Sequence, residues 1–161
     1  MRHSIRLALS YSWVIITIRP YKMTIDYTTL QRAIQRLKEA LDKYEKYKTD
    51  AELGDTVRDS LVKRFEFTLE QSLKMIDRTL KETGFSRHQR EPRKQLLRTA
   101  RDEKLISDFE QWNTYVKSRN ISAHDYSEDA FNAAYITVMQ AFYLDTRQLL
   151  QTLQDAQQSE Y

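Results

Sequence analysis

The chain has no cysteine among its 161 residues, which excludes a disulfide framework and any thiolate-bound metal, and fits a cytoplasmic setting. Glycine and proline are almost as scarce, at two each, too few for the tight turns of a β-rich fold. The same scarcity leaves no glycine-rich phosphate loop and no nucleophile elbow. Only three histidines are present, at positions 3, 88 and 124, too scattered to build a metal cluster. No long apolar run exists either. The best, residues 7–18, is interrupted by Ser10, Tyr11 and Ser12 and is too short to span a bilayer, so no membrane is expected. What the chain does have is 30% charged and 40% hydrophobic residues, the composition of amphipathic helices, in a length that suits one domain with a real core.

The formal net charge of +3 is not spread over the chain. Residues 1–22 carry Arg2, Arg6, Arg19 and Lys22 and no acid, while the remaining residues hold 22 basic and 23 acidic side chains. Global charge therefore gives no argument for nucleic-acid binding. The basic, partly apolar leader is not followed by a small-residue cleavage site. Met23 stands immediately before a clean helix start. Residues 1–22 are read as an upstream extension, with a leader helix or strand packing on the body as the alternative, and residues 23–161 as a single domain.

From Met23 onward the periodicity is helical. Leu30, Ile34, Leu37, Leu41 and Tyr44 define a first helix over residues 28–48, with Asp26 or Thr28 as its cap. After a loop containing Gly54, the residues Val57, Leu61, Phe65, Leu69, Leu73, Ile76 and Leu80 trace one face of a long second helix, which Gly84 ends. Pro92 opens a shorter helix to about residue 104, with Leu96 and Leu97 inward. Phe109, Trp112, Tyr115 and Val116 mark a fourth helix running into Arg119. Ser127, followed by Glu128 and Asp129, begins the last one, whose expected core face is Phe131, Ala134, Tyr135, Val138, Phe142, Leu149 and Leu153. Its 27 or so residues would reach roughly 40 Å, with a frayed tail over residues 154–161. The expected fold is all-α: an antiparallel up-and-down bundle of four long helices and a shorter one.

Chemistry concentrates in Arg119-Asn120-Ile121-Ser122-Ala123-His124-Asp125-Tyr126. An arginine is a permanent cation for phosphate oxygens, and an imidazole moves protons near neutral pH. In a strict helix Arg119 and His124 stand about 140° apart, whereas Asn120 and His124 share a face. If the helix loosens after Asn120, all three can meet, with Asn120 orienting the imidazole or a substrate oxygen. The competing reading is an exposed arginine and a capping histidine at a helix end. A second candidate is the run from Arg87 to Arg101, where Arg87, Arg90, Arg93, Lys94, Arg98 and Arg101 face a single acid, Glu91. Arg87, Arg90, Arg93 and Lys94 are candidates for phosphate or RNA binding beside a helix N-terminus, against the alternative of a solvated charged face. Asp108 and Glu110 are the nearest carboxylate pair. They lack the glycine–serine turn with which a nucleotidyltransferase holds triphosphate, so the chain is not expected to be one.

Arg64-Phe65-Glu66-Phe67-Thr68-Leu69-Glu70, Pro92-Arg93, Trp112 and Arg119-Asn120…His124-Asp125-Tyr126, in that order and spacing, resemble the nucleotidyltransferase substrate-binding protein family, a branch of the HEPN superfamily. The resemblance covers about residues 25–155. It implies a HEPN-like helical bundle that forms a homodimer and pairs with a separate minimal nucleotidyltransferase in a toxin–antitoxin system. It further implies a metal-independent endoribonuclease without cofactor, in which Arg119 and His124 act on the scissile phosphate of RNA and Tyr126 can be nucleotidylated. The alternative within the same family is a non-catalytic subunit that binds a nucleotide or presents substrate to the nucleotidyltransferase.

Overall fold

The computed structural model describes the backbone of residues 7–9, 12–14, 24–84, 92–120 and 128–158, and the side chains of 24–84, 92–119 and 134–158. Five helices follow in order: α1 (Thr28–Tyr47), α2 (Gly54–Glu82), α3 (Pro92–Asp102), α4 (Phe109–Asn120) and α5 (Glu128–Gln158). The fold is the expected all-α bundle. Three helices are long rather than the expected four, at 20, 29 and 31 residues, because α4 is short like α3, at 12 and 11. Ahead of them, β1 (Leu7–Leu9) and β2 (Ser12–Val14) pair antiparallel, with Ala8 opposite Trp13.

Among the described residues, several helix ends have local causes. The N-cap of α1 is Tyr27, with no side-chain cap, rather than Asp26 or Thr28; Asp26 stands one residue earlier and its carboxylate accepts from the Thr28 N–H at 2.8 Å. Asp50 accepts from the N–H groups of Glu52 and Leu53, both at 2.9 Å, and folds the turn into α2. Gly54 begins α2 because the chain doubles back closely there: a Cβ would stand 3.1 Å from the carbonyl oxygen of Lys48. Gly84, at φ +91°, follows α2 in the left-handed conformation expected of a C′ glycine. The end of α3 uses the same device without glycine. Lys104 stands at φ 60°, its N–H bonds Arg101 O at 2.9 Å, and the Leu105 N–H bonds Ala100 O at 2.8 Å. This is a Schellman pairing, closed by the buried Leu105, and it stops α3 at Asp102 rather than near residue 104.

Helix α2 is the hub, in contact with all four other helices. Leu61, Phe65, Leu69, Leu73, Ile76 and Leu80 are buried as expected, and Val57 is half-buried. Thr68 and Ser72 are buried on it too, and their hydroxyls donate back to the carbonyls of Arg64 at 2.7 Å and Thr68 at 2.8 Å. Those bonds satisfy the polar atoms within the helix and leave small side chains where α1 approaches. On α5 the buried face is Tyr135, Met139, Phe142, Thr146, Leu149 and Leu153. Ala134, expected inward, is exposed, and Val138 is half-buried, because Tyr135 and Phe142 centre the face on Met139. The last turns of α5 stay helical to Gln158 rather than fraying from residue 154. Leu153 is buried there, and Gln157 accepts from the Ile25 N–H at 3.1 Å.

Candidate functional site

Helix α4 carries the start of the motif, and its position is fixed at both ends. At its N-terminus Asp108 accepts from the N–H groups of Glu110 at 2.8 Å and Gln111 at 3.1 Å. Asp108 and Glu110 are thus helix-start residues rather than a catalytic pair. One turn on, Trp112 and Tyr115 are fully buried and meet edge to face, with centroids 5.8 Å apart. The Tyr115 hydroxyl accepts from Gln111 at 2.9 Å and donates to Asp145 of α5 at 2.5 Å. Burial first, and then the bond to Asp145, push the Tyr115 hydroxyl well above the usual phenol range. It stays protonated and acts as a pin between α4 and α5.

Arg119 follows Tyr115 by one helical turn, in the last turn of α4, where the helix dipole favours a cation. Its guanidinium donates to Oε1 of Glu70, in the middle of α2. Arg93, the second residue of α3, donates to the same oxygen at 3.5 Å. Three charged residues, each from a different motif of the sequence, therefore meet at one carboxylate. Their side chains are partly solvated, at 31% for Arg119, 42% for Glu70 and 49% for Arg93. One anion between two cations gives these three side chains a net charge of +1.

The other expected site residues divide in two. Asn120 ends α4, with its side chain outside the described residues, and His124 and Tyr126 lie outside them altogether, as do Arg87 and Arg90. Lys94 is exposed beside Arg93 in the first turn of α3. The basic run is less unpaired than its own composition implies, because its acids come from elsewhere. Arg93 uses Glu70, Arg101 pairs with Asp102 at 2.6 Å, and Arg98 lies 5.4 Å over the ring of Phe109. Glu70 is the site residue that sequence reasoning missed, since it entered only as the last letter of a motif. The available signal was the excess of six cations over one acid in the Arg87–Arg101 run, which left cations free to pair with acids beyond it.

Nearby, Tyr135 of α5 packs edge to face on Phe65 at 5.7 Å, and burial, reinforced by the charge of Glu66, raises its hydroxyl to about 12. A cleft of about 300 Å³ lies between the α3–α4 connection and α5, lined among others by Lys104, Ser107 and Gln148. Among the described residues, no group of three or more His, Cys, Asp or Glu side chains could hold a metal ion, and no helix is long and apolar enough to cross a membrane.

A family described as nucleotidyltransferase substrate binding protein like matches residues 25–155. A Haemophilus influenzae protein described as probable ribonuclease HepT is 31% identical over 106 residues, spanning 65% of this chain and 72% of that protein. Two solved structures share the fold. One, from Haemophilus influenzae and described as a substrate-binding domain of a nucleotidyltransferase, has a TM-score of 0.67 at 24% identity and covers 80% of this chain and 99% of that one. The other is a tri-AMPylated Shewanella oneidensis HEPN toxin in complex with its MNT antitoxin, with a TM-score of 0.61 at 20% identity, covering 80% of this chain and 92% of that one. With a family match across residues 25–155 and a relative 31% identical, this chain belongs to the nucleotidyltransferase substrate-binding protein family.

Proposed function

We propose that this chain is the HEPN-type subunit of a pair with a minimal nucleotidyltransferase, and that it cleaves RNA without a metal. The observation that carries the reading is the guanidinium of Arg119, held by Glu70 at the end of α4 where the chain enters Asn120…His124. The likeness to the probable ribonuclease HepT supports it. In this reading the ribose 2′-OH gives its proton to His124 and attacks the adjacent phosphate, the P–O5′ bond breaks, and the departing 5′-oxygen takes up a proton to leave as a 5′-hydroxyl. Arg119 stabilises the charge that builds on the phosphorane, and Asn120 orients the reacting groups. Arg93 and Lys94, with Arg87 and Arg90, contact flanking phosphates. One chain supplies one histidine in this motif, whereas cleavage needs a proton removed and another returned. A symmetric homodimer that brings two Arg119/His124 sets together meets that need.

The experiment is cleavage of RNA by purified chain in EDTA. The expected products carry 2′,3′-cyclic phosphate ends, and light scattering of the same preparation gives twice the mass of one chain. If wild-type chain binds RNA or nucleotide and never cuts, the non-catalytic subunit reading of the family replaces this one.

Tyr126 is the proposed regulatory handle. It lies two residues past His124 in the sequence, and in this scheme an AMP phosphate attached there competes with RNA for Arg119. Incubation with the partner nucleotidyltransferase, ATP and magnesium is expected to add AMP-sized increments to the intact mass, and Tyr126→Phe to remove them. An unchanged mass with a demonstrably active partner would refute the assignment.

A further inference from the structure

Arginine is a poor catalytic group unless something fixes it. Its long side chain loses rotamer freedom when it is held in one pose. Stabilisation of a developing charge depends on donors that are already in place. Arg119 stands at a helix end with its side chain 31% exposed, so part of its surroundings is solvent that fixes no pose. The restraint comes from Glu70, which belongs to the helix that touches every other helix of the bundle. Arg93 reaches the same oxygen from α3, so the carboxylate is held from two sides. A guanidinium has five N–H donors, and each of these contacts engages one nitrogen, which leaves the fork geometry available to a phosphate.

We infer that Glu70 is the positioning residue of the phosphate site: it sets the guanidinium of Arg119 for the RNA phosphate, and Arg93 holds Glu70 in turn. This deepens the proposed function and rests on it for the identity of the substrate. Glu70 touches neither substrate nor reacting atoms in this scheme and acts through Arg119.

Charge and positioning predict opposite signs, which makes the idea testable. Glu70→Gln removes a negative charge beside an RNA-binding cation, so simple electrostatics favours tighter RNA binding and leaves KM the same or lower. Loss of positioning instead strikes the step in which charge develops, and kcat is expected to fall by about a hundredfold. Glu70→Asp keeps the charge one methylene short and is expected to fall between wild type and Glu70→Gln. In an Arg119→Ala background Glu70→Gln should cost nothing further, because a residue that acts through Arg119 has nothing left to act on. A rise in kcat for Glu70→Gln would show Glu70 holding Arg119 back. A loss that adds to that of Arg119→Ala, with a lowered melting temperature, would show a structural ion pair. Either result overturns the inference.

A second readout needs no turnover and separates this inference from the proposed activity. The side-chain Nε–Hε resonance of Arg119, assigned by its disappearance in Arg119→Ala, is expected to be resolved in wild type and to broaden in Glu70→Gln. On adding a 2′-O-methyl RNA oligonucleotide it should shift in wild type and not in Glu70→Gln. If wild type does not cut RNA but shows this pattern, the ribonuclease reading fails and the positioning role stands. A resonance that ignores Glu70→Gln overturns the positioning role even if RNA is cut.

Discussion

Arg119→Ala and His124→Ala are each expected to reduce RNA cleavage by about a hundredfold or more, with the folded protein almost unchanged. The magnitude follows from the roles. A preorganised donor at a developing oxyanion is worth about 10²–10³ in rate, and a positioned proton carrier about 10²–10⁴. The small effect on folding follows from the site. Arg119 and Glu70 are partly solvated, at 31% and 42%, and exposed pairs contribute about 0–1 kcal/mol. Removing Arg119 does not strand a buried charge either, because Glu70 keeps Arg93. The melting temperature should therefore move by no more than about 4 °C. Gel-resolved cleavage in EDTA beside a thermal melt decides the matter. If both variants cut RNA at the wild-type rate, this site is not where cleavage occurs. If both lose activity only in proportion to unfolding, the residues are structural.

Much of the bundle was legible because burial imposes a period. Leu30, Ile34, Leu37, Leu41 and Tyr44 recur at helical spacing and are all buried in α1, and the α2 face follows the same rule. Gly84 was readable because few other residues take its φ without cost. Lys104 was not, although it does the same work at the end of α3, because nothing in a lysine announces a left-handed backbone. On α5, Met139 and Thr146 line the core while Ala134 faces solvent. Small or polar residues carry too little hydrophobic signal to say which of two neighbouring stripes turns inward.

The site divides along the same line. Arg119 stood out because a cation, an amide, a histidine and a tyrosine fall within eight residues, and local clustering is visible in one dimension. Its partner is 49 residues away on another helix. Charged residues on a solvated face follow no period, and which acid meets which base depends on how α2, α3 and α4 cross. That crossing is fixed by buried residues such as Trp112 and Tyr115, so the geometry of the charges is inherited from the core.

Phe142→Ala tests that inheritance and is expected to give the largest loss of stability of any single substitution considered. Phe142 is fully buried in α5 and meets three rings edge to face: Phe65 of α2 at 5.1 Å, Trp112 of α4 at 5.9 Å and Tyr115 of α4 at 5.0 Å. Truncation to alanine removes the transfer energy of the ring and opens a cavity among groups too rigid to close it, a cost of about 3–5 kcal/mol. In a domain of this size that lowers the melting temperature by on the order of 10 °C. The effect should also reach the site. Trp112 and Tyr115 seat α4 on Phe142, and Arg119 is one turn beyond Tyr115. Well below its lowered melting temperature, Phe142→Ala is therefore expected to cut RNA more slowly than wild type. Phe142→Leu fills most of the volume and should recover most of both properties. A melt within 2 or 3 °C of wild type for Phe142→Ala would mean that the three-ring contact does not hold α4. Full activity in a strongly destabilised variant would mean that Arg119 is placed by Glu70 alone, without help from the aromatic core.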